Sequence, residues 1–321
     1  MASELVFSDP SRRRFISAAV GVVAVPATLR ATPVSLPDSM PLVDTHVHFW
    51  DLARFRLPWL AGAKSLDRSF TLDDYRAAAK DLNVVKAVYM EVGLDPAQEL
   101  QEAEYIVGLI RNGGTPLVAA VVSGRPGTGD FAAHVRTVTR YPEIRGLRRI
   151  LHGPSTPRGT CLEPNFIRHI RLIGEVGLSF DLCMRPDELP DAAKLVAACP
   201  STQFILDHCG NPSVRSKDLT TWRADLAHLA ELPNIACKIS GIVASAAPSP
   251  WTPDGLAPIV NHVLDTFGLD RVVFGGDWPV CTLAATLRQW ADALRTIVAE
   301  HPEVQVRKLL HDNAHHVYRL S

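Results

Sequence analysis

Cysteine is scarce in this chain of 321 residues: six are scattered through it (Cys161, Cys183, Cys199, Cys209, Cys237 and Cys281), never in CxxC spacing. That excludes a zinc-ribbon pattern and a small disulfide scaffold. Net charge is nearly absent too, with 33 basic residues against 34 acidic ones. Without an excess of one sign there is no electrostatic footprint for nucleic acid or an anionic membrane surface. No Gly-rich phosphate loop follows the first candidate strand, so the signature of a dinucleotide-binding sheet is missing. No internal repeat and no second domain are visible. Long apolar runs are lacking as well: "AAVGVVAVPA" at 18–27 is too short to span a bilayer as a stable helix.

That run has a different meaning when read with what precedes it. "SRRRFIS" at 11–17 supplies a basic segment, the apolar run follows, and small residues stand at Ala27 and Ala31. This is the layout of a secretory signal. Arg12 and Arg13 ahead of Phe15 and Ile16 resemble a twin-arginine export signal. The expected organisation is therefore a signal at 1–31, a linker at 32–40 ("TPVSLPDSM") and one catalytic domain at 41–321. The expected partner is the twin-arginine translocation machinery and the expected location the periplasm, with no integral membrane segment left after signal removal.

Within the domain, Val- and Ile-rich runs alternate with segments of helical period. The candidate strands are 42–46, 84–91, 117–122, 145–150, 178–183, 203–208, 234–240 and 271–277. Most are too apolar to have one solvated face, as parallel strands covered on both sides require. Amphipathic stretches lie between them, such as "TLDDYRAAAKDL", which opens on Thr71 as an N-cap, and "PNFIRHIRLIGEVG". Eight such repetitions predict an α/β fold, a (β/α)8 TIM barrel, with the site at the C-terminal strand ends. Those ends carry His46, His48, Glu91, Arg148, Arg149, His152, Arg185, His208, Lys238 and Asp277.

"DTHVHFWD", "ILDHCGNP", "CKISG" and "VVFGGDWPV" fall in order at strands 1, 6, 7 and 8. Together they resemble the amidohydrolase superfamily, in its amidohydrolase-related branch of sugar lactonases and muconolactone-type hydrolases. The resemblance covers nearly all of 41–320. It implies hydrolysis of a cyclic ester at a site built from His46, His48, His208 and Asp277. Independently, two histidines and a carboxylate suit one divalent cation with positions left open. Asp277 then acts as general base, and His208 ligates or polarises the carbonyl. The two glycines before Asp277 are expected to leave space for substrate.

The sequence departs from metal-rich members, which carry a histidine ending strand 5 or a bridging lysine on strand 4. Here those places read "DLCMRP" and "GLRRIL", so at most one ion, zinc or manganese, is expected. The branch also includes enzymes that need no metal, in which Asp277 activates water while His208, Arg149 or Arg185 stabilises the oxyanion.

Other residues admit two readings each. Of the adjacent pair, Arg149 is taken to face the barrel with His152 behind it. Arg185 either binds a substrate carboxylate or pairs locally with Asp187. Lys238 either binds substrate or points outward as a salt-bridge partner, and Glu91 either ligates the ion or orients a histidine. Trp50 and Trp278 are expected to wall the pocket, and Asn313 to hold the C-terminal tail. Rival functions are a metal-dependent decarboxylase on the same barrel and a non-catalytic periplasmic binding protein.

Overall fold

The strands form for the reason their composition suggests: each carries apolar residues on both faces, so each needs cover from within the barrel and from outside. The computed structural model describes residues 39–153 and 156–321; the expected export signal lies outside the described residues. The strands are β1 (Leu42–Val47), β2 (Val84–Met90), β3 (Leu117–Ser123) and β4 (Ile144–Ile150). They continue as β5 (Ser179–Cys183), β6 (Gln203–Leu206), β7 (Ile235–Ile239) and β8 (Val272–Phe274). All pair in parallel in the order β1 to β8. The seam between β8 and β1 is closed by backbone bonds, Asp277 N–H to His46 O at 2.7 Å and His48 N–H to Trp278 O at 2.8 Å. This is a parallel (β/α)8 barrel.

β6 and β8 stop short of the expected ends at residues 208 and 277. His208 and Cys209 take φ of 54° and 55°, and Asp277 takes 53°. That left-handed geometry turns the chain out of the strand.

Helices α1 (Leu72–Ala78), α2 (Glu99–Asn112), α3 (Phe131–Val138), α4 (Pro164–Glu175), α5 (Leu189–Ala198) and α6 (Thr220–Ala230) each follow a strand. After β7 come the single turn α7 (Ile242–Ser245) and α8 (Pro253–Phe267), and after β8 comes α9 (Leu287–Ile297). Thr71 does cap α1, in a box with Asp74. α4 buries Phe166, His169, Ile170 and Ile173, the spacing of one helical stripe.

The barrel interior is divided by height. Its lower part is apolar, filled by side chains such as Val43, Val88, Met90, Ile205 and Val273. The C-terminal segment closes that end: after α10 (Glu303–Arg307), α11 (Asn313–Val317) brings Ala314, Val317, Tyr318 and Leu320 into the same cluster. Asn313 Nδ2 donates to Leu269 O at 2.7 Å and Val272 O at 2.8 Å, tying the tail beneath β8. The upper part is polar. No helix among the described residues is long and apolar enough to cross a membrane.

Candidate active site

β1 delivers His46 and His48 to the upper mouth with their ring centroids 4.9 Å apart. Asp277 reaches them from the turn after β8. Its Oδ1 lies 3.4 Å from His48 Nε2 and 3.7 Å from His46 Nε2, and all three side chains are buried. His208 joins from the turn after β6, its ring 4.7 Å from that of His46. Its Nδ1 meets Ser240 Oγ at 2.9 Å, and burial lowers its pKa, so the ring is neutral.

The two glycines before Asp277 do not make room for substrate, contrary to expectation. A Cβ at Gly275 would stand 2.7 Å from His46 Cβ, and one at Gly276 only 2.5 Å from Asp44 Oδ2. They make room for His46 and for Asp44, a residue that strand-end position alone does not single out. Asp44 Oδ1 accepts from Gly276 N–H at 2.7 Å and His46 N–H at 3.1 Å, while Oδ2 accepts from Tyr75 Oη at 3.0 Å. One carboxyl thus bolts both halves of the seam together. Burial pushes its pKa up to about 6.

Beneath the histidines lies a fully buried ionic network. Lys238 Nζ donates to Asp181 Oδ2 and Asp207 Oδ1, each at 2.8 Å, and stands 3.2 Å from His46 Nδ1. Arg148 Nε donates to Glu91 Oε1 at 2.7 Å, and its Nη1 lies 3.2 Å from both Asp207 Oδ2 and His46 Nε2. Burial opposes both cations, but Asp181 and Asp207 keep Lys238 protonated, and Glu91 and Asp207 do the same for Arg148. Burial also opposes ionisation of Asp207, yet Lys238, with Arg148 beside it, holds its pKa well below the ordinary carboxylate range. Burial, then Lys238, drives His46 far below its usual value, so that ring too is neutral.

Several expected roles are corrected by this placement. Arg148, not Arg149, faces the barrel interior; Arg149 is half-buried at the cleft wall and donates Nη1 to Pro126 O at 3.1 Å. Lys238 neither binds at the cleft nor points outward, because it is sealed under His46 with no exposure. Arg185 spends its guanidinium on Glu188 at 2.7 Å and on the carbonyls of Gly153 and Thr156, and Asp187 pairs with Arg158 instead. Glu91 stands outside the donor cluster, its oxygens taken by Arg148, Gly93 N–H and Ser123 Oγ. Trp278 packs behind the seam against Phe70 and Tyr75, whereas Trp50 and His152 do line the cleft. Asp181 and Asp207 were not among the expected site residues; Asp207 immediately precedes the rim residue His208 and was the more legible of the two.

The donor atoms of His46, His48 and Asp277 lie within 4.8 Å of one another, and this set fits one divalent ion. His48 donates Nδ1–H to Met90 O at 2.8 Å, which leaves Nε2 as a lone pair facing Asp277. His46 Nδ1 is 3.5 Å from Asp207 Oδ1; a proton there, in place of acceptance from Lys238, leaves Nε2 as a lone pair that an ion would take over from Arg148. A second donor set, His46, Asp207 and His208, is spatially similar. Both Asp207 oxygens are already bonded to cations, however, and the set is closed to an ion.

The mouth opens into a cleft of about 780 Å³ lined by residues that include Trp50, Trp59, Glu99, Arg125, Arg149 and Val280. A parallel barrel with this histidine–aspartate mouth is the architecture of an amidohydrolase-type enzyme. The amidohydrolase family matches residues 43–320, and the chain belongs to it. It is 30% identical over 251 residues to an L-fucono-1,5-lactonase of Burkholderia ambifaria, covering 75% of this chain and 81% of that protein. With an L-fucono-1,5-lactonase of Burkholderia multivorans it shares 28% identity over 271 residues, 78% of this chain and 88% of the relative. A solved amidohydrolase from Burkholderia multivorans with bound zinc superposes with a TM-score of 0.79 at 26% identity, over 88% of this chain and 100% of that one.

Proposed function

We propose that the protein opens a neutral, polyhydroxylated lactone, a sugar lactone, by hydrolysis. The observation that carries the reaction is Asp277 Oδ1 held beside two imidazoles at the floor of the cleft, where a carboxylate serves as base. The neutral substrate is supported by the charges lining that cleft. Glu91, Glu99 and Asp277 are matched by Arg125, Arg148 and Arg149, leaving no excess to attract a dianion. The lactonase names of two relatives agree with this reading.

Asp277 takes a proton from the attacking water and returns it to the ring oxygen as the ester bond breaks. In the tautomer in which Ser240 Oγ donates to Nδ1, neutral His208 carries its proton on Nε2 and offers it to the carbonyl oxygen. Arg149 keeps N–H groups beyond the one spent on Pro126 for the substrate's oxygens. When one zinc or manganese ion is held by His46, His48 and Asp277, it supplies Lewis-acid polarisation of the scissile carbonyl. Export as a folded protein through the twin-arginine route is part of the same proposal, supported by "SRRRFIS".

A panel of aldonolactones and carboxylated muconolactones in weakly buffered indicator medium, with and without chelator, tests the reading. Acid release from aldonolactones is expected, and Asp277→Asn should lower turnover by roughly 100- to 10,000-fold. Activity confined to the muconolactones, or a variant within about threefold of wild type, would sink it. A melting temperature unchanged by the substitution separates lost chemistry from misfolding.

A further inference from the structure

The cleft contains an aromatic surface that the hydrolytic chemistry leaves unexplained. Trp59 lies in the short helical turn Pro58–Gly62, lines the cleft and is 37% exposed. It is the one aromatic among the large apolar side chains that are exposed in the described residues. Its only polar group is already engaged, since Nε1–H donates to Val92 O at 2.7 Å. What remains open is therefore the hydrocarbon of the ring, held in a fixed orientation. Trp50 backs it edge-on, with ring centroids 5.7 Å apart and planes at 80°, and is itself buried with Nε1–H bonded to Arg68 O at 2.6 Å. Backbone approaches the indole at Gly93, where φ is +63° and a Cβ would come 3.6 Å from Trp59 Cδ1. An indole pinned with its hydrocarbon open to the cleft leaves apolar area in water until something covers it.

The same cleft carries Glu99 and Arg125, joined at 2.6 Å, so that acceptor and donor stand side by side. A saturated sugar ring matches both features. Its axial C–H bonds make an apolar face, and its hydroxyls make a rim that can donate and accept at once. We propose that Trp59 is the platform on which the ring of the substrate stacks, and that Glu99 and Arg125 read its hydroxyls. This inference rests on the sugar-lactone reading and specifies it: the ring is recognised as a saturated pyranose, apart from the carbonyl.

Because stacking holds ground state and transition state alike, its loss should appear in KM and little in kcat. Trp59→Ala should raise KM for an aldono-1,5-lactone about tenfold with kcat within about threefold, and Trp59→Phe should recover most of the loss. The second measurement needs no turnover. 1,5-Anhydro-L-fucitol keeps the ring and hydroxyls but has no carbonyl to hydrolyse. Titrating it should quench wild-type tryptophan fluorescence, and that change should be absent from Trp59→Phe, whose fold the phenylalanine preserves. Unchanged KM in both variants, or an identical quench in wild type and Trp59→Phe, would overturn the proposal. If no sugar lactone is turned over while the Trp59-dependent quench persists, the platform stands and the lactonase reading falls. If sugar lactones are turned over and neither substitution alters their KM, the lactonase reading stands and the platform falls.

Discussion

At the scale of single residues, the site depends on who holds which proton. Ser123 Oγ lies 3.0 Å from Glu102 Oε2 and 3.1 Å from Glu91 Oε2. A hydroxyl has one proton to give, so one of the two carboxyls must meet Ser123 with a proton of its own. Glu102 does so: burial and then the neighbouring Glu91 raise its pKa from 4.5 to about 8. Its other oxygen accepts from Tyr89 Oη at 2.8 Å and Val92 N–H at 3.0 Å. Below pH 4.5 the folded and unfolded forms both carry this proton, and the group contributes nothing to the pH dependence. Between there and about 8 only the folded form keeps it, so stability falls as pH rises. Glu102→Gln copies the protonated acid, with a carbonyl for Tyr89 and Val92 and an amide N–H for Ser123. Melting curves across that range should therefore show wild type losing ground to the variant as pH increases. Parallel curves for the two proteins would contradict the assigned proton.

At the scale of elements, the seam between β1 and β8 decides whether the mouth exists. β8 has only three residues, and the backbone bonds named at the seam come from the turn after it. Asp44 can bridge that turn to β1 only because Gly276 has no side chain. A Cβ there would also lie 2.6 Å from Leu287 Cδ1, on α9, so two buried side chains would have to shift, one of them at the cost of its hydrogen bonds. Gly276→Ala should cost about 1–3 kcal/mol by overpacking, and should lower turnover because Asp277 is the next residue. Urea unfolding and kcat measured together check this. Wild-type values in both would mean that the seam tolerates what its geometry forbids.

At the scale of the whole molecule, the site is supported from below by the far end of the chain. Tyr318 donates to Asp181 Oδ2 at 2.6 Å, and Asp181 in turn holds Lys238. The mouth thus rests on an ionic stack that the C-terminal tail completes, 137 residues away in sequence from Asp181. The proposed twin-arginine export also belongs to this scale. Replacing Arg12 and Arg13 with lysine should leave folded enzyme in the cytoplasm. Fractionation showing unaltered export of the double variant would refute the twin-arginine assignment.

The barrel is legible in the chain because period and composition are local properties: eight apolar runs between helical stripes have few other ways to bury both faces. The places of His46, His48, His208 and Asp277 were legible for the same reason, since strand order brings those ends to one rim. Alternation is a sign only that the two arginines part: in "GLRRI" Leu147 shares the face of Arg149 and Ile150 that of Arg148, so apolar composition does not choose which of them points inward. The pairings inside the barrel had no such sign and came from the folded arrangement: Lys238 with Asp181 and Asp207, Arg148 with Glu91, and Asp44 across the seam. Charges from several different strands and turns meet there. Pairing over such separations is set by the barrel's closure and by burial, which makes every ion find a partner. Periodicity along the chain has no access to that constraint.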